Sequence, residues 1–184
     1  MKNKLNPLLN NGLKHGAIMG GAFILLSIFY YIAGIEFTSF TFIIVNFFLT
    51  LGLFIFFLVW SNKQAAKQFD SLNYGEALIN ALVTVVVSTV VSSVYSYLFN
   101  AFFDPDYAKE MMQSVITAFE NNPNMPADQV EKLYEQLDEM TPVKMTLDAL
   151  KQGLIFGAVM SLIVSAFTRK KQDPFTEEME VTKD

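Results

Sequence analysis

The carboxylates are the most conspicuous chemistry in this sequence. Asp104 and Asp106 stand two apart, and Asp138 adjoins Glu139. A carboxyl pair can divide acid and base work when an apolar pocket pushes one pKa upward. Both pairs lie in a charged stretch with no apolar pocket evident around them, so no catalytic residue is assigned. The chain has one His and no Cys. Transition-metal, haem and thiol chemistry therefore lack their usual ligands, and neither a metal nor a cofactor is expected. Gly12 and Gly20-Gly21 do not follow a strand, as a phosphate loop requires, and no Gly-x-Ser-x-Gly elbow occurs. Eighteen acidic against 13 basic residues leave a net charge of −5, which argues against a nucleic-acid partner.

The elements that hold these groups are apolar. Hydrophobic residues make up 52% of the 184 and charged residues 17%, where a soluble domain carries about 25% charged. The apolar residues fall in four blocks, about 16–35, 39–60, 77–103 and 147–168, and only Asp148 and Lys151 bring charge into them. A bilayer core about 30 Å thick takes about 20 apolar residues of helix. A helix also satisfies its own backbone there. The expected fold is all-α: an integral-membrane four-helix bundle with the lipid bilayer as its solvent. The first block is too long for a signal-peptide core and lacks a small-x-small site, so it reads as an uncleaved helix. The third exceeds one span and must tilt or project.

Four spans return the chain to its starting side. Lys2, Lys4, Lys14, Lys63, Lys67, Arg169, Lys170, Lys171 and Lys183 fall on one side, and only Lys109, Lys132 and Lys144 on the other. The positive-inside rule then puts both termini in the cytoplasm and residues 104–146 outside, with 169–184 a flexible cytoplasmic tail. Trp60 on the inner side, and Tyr30, Tyr31, Tyr95 and Tyr97 towards the outer side, suit the two headgroup levels.

The outer loop reads as an amphipathic helical hairpin. Asp104-Pro105 predicts an acidic N-cap followed by Pro at the first helical position. Met112, Val115, Ile116 and Phe119 form one stripe, and Val130, Leu133, Tyr134, Leu137 and Met140 the other, with Asn121 to Asn124 between them. The loop is strongly acidic, so its polar face is either simply solvated or a docking surface. No EF-hand spacing is present.

Within the spans, small residues recur every four positions. Gly12, Gly16 and Gly20 open the first; Asn80, Thr84, Ser88, Ser92 and Ser96 run through the third; Gly153, Gly157, Ser161 and Ser165 run through the fourth. Such faces allow close helix approach, either within one bundle or across an oligomer seam. A polar transport path would be expected to carry an ionisable residue at mid-membrane, and none is there. Asn46 reads as a hydrogen-bonded packing residue. The ionisable groups gather at the ends: Lys14, His15 and Glu76 on the inner side, Glu36 and Lys151 on the outer. Threading allows a Lys14–Glu76 pair and a Glu36–Lys151 pair.

Leu72-Asn73-Tyr74-Gly75-Glu76-Ala77 leads into a span of small and β-branched residues, and Tyr97 precedes Asp104-Pro105-Asp106-Tyr107 at its exit. With Asn6-Pro7, Gly12-Leu13-Lys14-His15-Gly16 and the basic exit Arg169-Lys170-Lys171, these motifs resemble those of domain-of-unknown-function family 4199, bacterial four-span membrane proteins. The resemblance covers residues 5–171. It implies a cytoplasmic-membrane protein and transfers no catalytic residue. Physically, Tyr74-Gly75-Glu76 is a turn feeding a helix, with Glu76 favourable in its first turn. The functional expectation is a non-enzymatic scaffold or accessory subunit, in a homo-oligomer or with a membrane-protein partner. Its rivals are an oligomeric transporter or channel component and a membrane enzyme using the acidic outer loop.

Overall fold

The computed structural model describes residues 2–35, 39–69 and 71–170, with side chains from Lys4 onward. The helices are α1 (Lys2–Ile32), α2 (Phe40–Ala66), α3 (Tyr74–Leu98), α4 (Tyr107–Glu120), α5 (Ala127–Asp138) and α6 (Pro142–Thr168); a π-helical turn, Phe99–Phe103, extends α3. The fold is an all-α bundle. Four stretches are long and apolar enough to cross a membrane: Lys4–Ile32, Phe40–Ala66, Tyr74–Phe103 and Pro142–Thr168.

Local chemistry sets the helix ends. Asn73 and Glu76 form a reciprocal capping box at α3: the Asn73 side chain accepts from the Glu76 N–H and Glu76 Oε2 accepts from the Asn73 N–H, both at 2.9 Å. Thr141 Oγ1 accepts from the Lys144 N–H at 3.2 Å, and Pro142 opens α6. Gly34 ends α1 at φ +59°, a left-handed position suited to Gly. The Ile35 N–H reaches Tyr30 O and the Gly34 N–H reaches Tyr31 O, which closes the helix in a Schellman motif. One capping expectation needs correction. Asp104 does cap, its Oδ1 accepting from the Tyr107 N–H at 3.1 Å. However, Pro105 and Asp106 form a turn ahead of α4 and are not its first helical residues.

Helices outrun the hydropathic blocks at four points, by only three residues where α3 starts at Tyr74 and further at the other three. α1 begins well before Gly16, α2 continues past Trp60 to Ala66, and α6 starts at Pro142 where the apolar block starts at Leu147. Hydropathy marks where a helix could meet oil; a helix can continue into polar sequence without changing that signal.

Packing centres on α3. Of its best membrane window 39% is buried, against 6% for α2. α1 runs parallel to α3. A Cβ on Gly12 would stand 2.7 Å from Val83 Cγ1, one on Gly16 2.7 Å from Thr84 O, and one on Gly20 2.9 Å from Val91 Cγ1. α6 runs antiparallel on α3: Gly153 lies against Thr89 and Gly157 against Val85. These glycines permit backbone-to-backbone approach where any side chain would collide. α2 buries only Leu58, Ser61, Asn62 and Ala65, all near its C-terminal end. Phe54, Ile55, Phe57 and Val59 are partly buried against the core, whereas Phe47, Phe48 and Phe56 face outward, as on a lipid-exposed helix.

α4 and α5 pack on one another, and Phe40 at the start of α2 meets Phe119 edge-on at 5.5 Å. Ile116 and Ala118 are buried in α4, whereas no residue of α5 is.

Candidate functional site

The most connected polar site lies where all four long helices converge, at the N-terminal ends of α1 and α3. Asn11 Nδ2 donates to Ser61 O at 3.0 Å and to Asn80 Oδ1 at 2.8 Å. Asn80 Nδ2 donates to Ser61 Oγ at 2.9 Å and to Asn62 Oδ1 at 2.8 Å. Asn62 Nδ2 reaches Thr168 Oγ1 at 2.8 Å, and Thr168 in turn donates to Val164 O. Ser61 Oγ also pairs with Thr84 Oγ1 at 2.9 Å. Ser61, Asn62, Asn80 and Thr84 are fully buried. An unpaired amide is costly in such a setting, and here each donates to and accepts from a neighbour. The result is a polar clasp across four helices.

His15 belongs to the same end. Its Nδ1 lies 2.8 Å from Asn11 O. A carbonyl can only accept, so Nδ1 carries the proton and Nε2 keeps its lone pair in the neutral ring. The ring stands edge-on to Trp60, with centroids 4.7 Å apart. A groove of about 680 Å³ opens beside it, with Asn10, Lys14 and Gln64 on its walls.

Glu76 is buried, and its partner is Lys4 at 3.4 Å. The expected Lys14–Glu76 pair is therefore corrected. With Gly12 level with Asn80, Lys14 lies deeper along α3 than Glu76, and its side chain is exposed. Lys4, at the start of α1, is level with the α3 cap. It also donates to Ser71 O at 3.1 Å and stands over the Phe69 ring. Leu72 and Lys170 exchange two backbone hydrogen bonds beside it, joining the α2–α3 turn to the end of α6. The Glu36–Lys151 pair lies outside the described residues because Glu36 does; Lys151 is exposed on α6.

Other residues singled out by sequence are dispersed. Tyr74 sends its hydroxyl towards Leu162 O at 3.4 Å, and Gly75 is exposed in the first turn of α3. Asp104 caps α4, and Pro105 and Asp106 are exposed in the turn. The carboxylates Asp104 and Asp106 are thus not gathered in a pocket. Burial, with Tyr95, Asp104 and Tyr31 nearby, raises the Tyr107 hydroxyl above its ordinary pKa. Among the described residues, no three His, Asp or Glu side chains gather into a metal-binding group.

Ser88 and Ser92 line a second feature. Beyond the clasp, a cavity of about 540 Å³ opens, with Phe54 as its only wall from α2. α3 supplies Ser88, Ser92, Ser96 and Asn100; Phe23 comes from α1 and Gly153 from α6, and Tyr107 and Met111 of α4 close one end. Tyr30 on the same wall donates its hydroxyl to Asn46 Oδ1, so Asn46 is hydrogen-bonded, as expected of a packing residue.

Sequence reading missed Asn11, Ser61, Asn62 and Thr168, and also Gln68, whose Nε2 donates to Asn11 Oδ1 at 3.3 Å. All but Thr168 lay in segments read as connections, and Thr168 at the last position of a span. The available signal was positional: an amide or hydroxyl stands at the same end of each long helix.

An α-helical bundle with four helices long and apolar enough to cross a membrane, and a polar clasp paired across them, defines a multi-pass membrane protein. The family model described as "Protein of unknown function (DUF4199)" matches residues 14–170, and the chain belongs to that family. Neither the curated proteins nor the solved structures contain a match to it.

Proposed function

We propose that this protein is a non-catalytic scaffold or accessory subunit of the bacterial cytoplasmic membrane. Both end segments and the α2–α3 turn lie in the cytoplasm, and the α4–α5 hairpin lies outside. The observation that carries this reading is the amide clasp. The deepest polar side chains at the inner end, Asn11, Ser61, Asn62, Asn80, Thr84 and Thr168, bond to one another across all four long helices, as rigid packing requires, and none of the six supplies an ordinary acid or base. The lysine asymmetry supports the threading. The glycine faces of α1 and α6, which an oligomer seam could use, are occupied by α3 of the same chain. That leaves the hairpin as the surface for a membrane-protein partner or a second copy: α5 is amphipathic, acidic and buries none of its residues.

Two measurements test this. Co-purification in mild detergent is expected to retain a stoichiometric partner or second copy, lost when residues 107–138 are replaced by a short flexible linker. An unaltered, partner-free monomer in both forms would defeat the scaffold reading. Single cysteines replacing Lys67 and Asn124 test the threading. Only the one at position 124 is expected to react with an impermeant thiol reagent in intact cells; the reverse pattern would invert the topology.

A further inference from the structure

Lys14 and His15 stand side by side on the groove between α1 and α2. The ion pairs among the described residues belong to Lys4, Lys132 and Lys144, and none uses Lys14. His15 is only 5% exposed. Its Nδ1 is taken up by Asn11 O, and its Nε2 has no hydrogen-bond partner among the described residues. Nor is Nε2 one of the unpartnered polar atoms sealed inside the bundle, which are Tyr95 Oη, Asn100 Oδ1, Ser161 Oγ and Ser165 Oγ. The ring therefore keeps Nε2 accessible where it emerges on the groove.

The walls limit the charge of an occupant. None of the lining residues is Asp or Glu, so the Lys14 ammonium has no counter-charge in the groove. It attracts an anion and repels a second cation. The amides of Asn10 and Gln64 add neutral donors. A bare anion would leave the Nε2 lone pair unanswered; a hydroxyl on the same molecule can donate to it.

Depth identifies the source. From Lys14 to Ile32, α1 rises about 27 Å, and from Phe40 to Trp60, α2 rises about 30 Å. A hydrocarbon core is about 30 Å thick. Both helices therefore place Lys14, His15 and Trp60 at the boundary between acyl chains and headgroups. Polarity along the groove agrees. Asn10 and Gln64 lie on its outer side, and Ile18 lies one turn deeper than Lys14. A lipid with its phosphate at this level meets polar walls with its head and apolar ones with its chains.

We propose that this groove binds a hydroxyl-bearing anionic phospholipid headgroup, of the phosphatidylglycerol class, in the leaflet where α1 begins. The phosphodiester pairs with the Lys14 ammonium, a headgroup hydroxyl donates to His15 Nε2, and the upper acyl chain lies along Ile18 and Trp60. The Cα atoms of Lys14 and His15 are about 3.8 Å apart. The flexible four-carbon lysine stem lets the ammonium follow a phosphate whose own headgroup hydroxyl reaches the ring. The site depends on the membrane-embedded bundle and not on the scaffold reading, so loss of a co-purifying partner leaves it untouched.

Trp60 is the chain's single tryptophan and lines the groove, so its fluorescence reads occupancy. The full chain in phosphatidylcholine nanodiscs is titrated with lipids brominated on the upper acyl chain. Half-maximal quenching by brominated phosphatidylglycerol is expected at about fivefold lower mole fraction than by brominated phosphatidylcholine, the contribution of one interfacial lysine. Phosphatidylmethanol, with the same charge and no hydroxyl, should fall between them. Lys14→Gln should abolish the preference for phosphatidylglycerol over phosphatidylcholine. Lys63→Gln removes the same charge from the exposed surface of α2 outside the groove and should preserve it. His15→Phe should erase only the distinction from phosphatidylmethanol. Thermal unfolding verifies that each variant is folded, and excess soluble glycerol phosphate should leave quenching unchanged. Equal curves for phosphatidylglycerol and phosphatidylcholine, or for phosphatidylglycerol and phosphatidylmethanol, would overturn the proposal. So would an equal loss in Lys63→Gln, or relief of quenching by glycerol phosphate, which would mark a site for a soluble anion.

Discussion

Asn11 and Asn80 are joined side chain to side chain at 2.8 Å across 69 positions of sequence. This single bond fastens α1 to α3, and both residues also bond to Ser61 of α2. Removing either amide strands a buried donor or acceptor on the other. Asn80→Ala is expected to destabilise the bundle by about 1–3 kcal/mol, measured as unfolding in detergent. A double-mutant cycle with Asn11→Ala should return a coupling of about 1 kcal/mol. Additive effects would show that the two amides act separately.

Gly157 faces Val85 so closely that an added Cβ would collide with Val85 Cγ1. Gly157→Ala should cost about 1–3 kcal/mol, and Val85→Ala should recover part of that loss. Gly52 offers the contrast, with nothing within 4 Å of its Cβ position. Gly52→Ala should leave thermal stability unchanged or slightly raised. Equal losses at both positions would argue against close α3–α6 packing.

Glu76 does two jobs, pairing with Lys4 and capping α3. Gln can keep the cap but not the charge. Glu76→Gln should therefore lower the melting temperature less than Glu76→Ala, and Lys4→Met should add little to Glu76→Gln. Lys14→Met should behave independently of either. A Lys14 effect that vanishes in the Glu76→Gln background would restore the pairing that the helix register rules out.

Glu139 bonds Lys144 at the junction of the hairpin with α6, and that ammonium holds its carboxyl below the ordinary value. A depressed carboxyl contributes stability above its unfolded pKa and loses it as pH falls through the folded one. The contribution is small because the pair is exposed. Lys144→Met should move the Glu139 titration upward, read by carboxyl NMR in micelles. An unmoved titration would separate the two groups.

Tyr134 donates to Glu120 at 2.9 Å, joining α5 back to α4. That bond is the main reason its hydroxyl is raised above the ordinary value, and desolvation adds to it. Tyr134→Phe should loosen the hairpin, read as faster amide exchange in α5, and leave the four long helices unchanged. Slowed or unaltered exchange would count against the clip.

The four apolar helices and the amphipathic hairpin were legible because hydropathy and periodicity are sums over neighbouring residues. Asn73 with Glu76, and Thr141 with Pro142, are also complete signals within a few positions, although the hydropathic blocks place those starts later, at 77 and 147. The clasp was not. Asn11, Ser61 and Asn62 lie in polar flanks, and nothing local distinguishes a solvated flank from helix that continues into a buried junction.

From the linear chain alone follow the solvent of each segment and the presence of four long helices, since transfer of a side chain between oil and water depends mainly on its type. Which polar groups meet follows from helix register and rotation, and a shift of one turn changes every partner. Lys4 holds Glu76 where Lys14 does not, because the glycines of α1 lock against α3 in one register. Gly157 meets Val85 because α6 runs antiparallel on α3 at one register, and that pairing is written in no short stretch of the sequence.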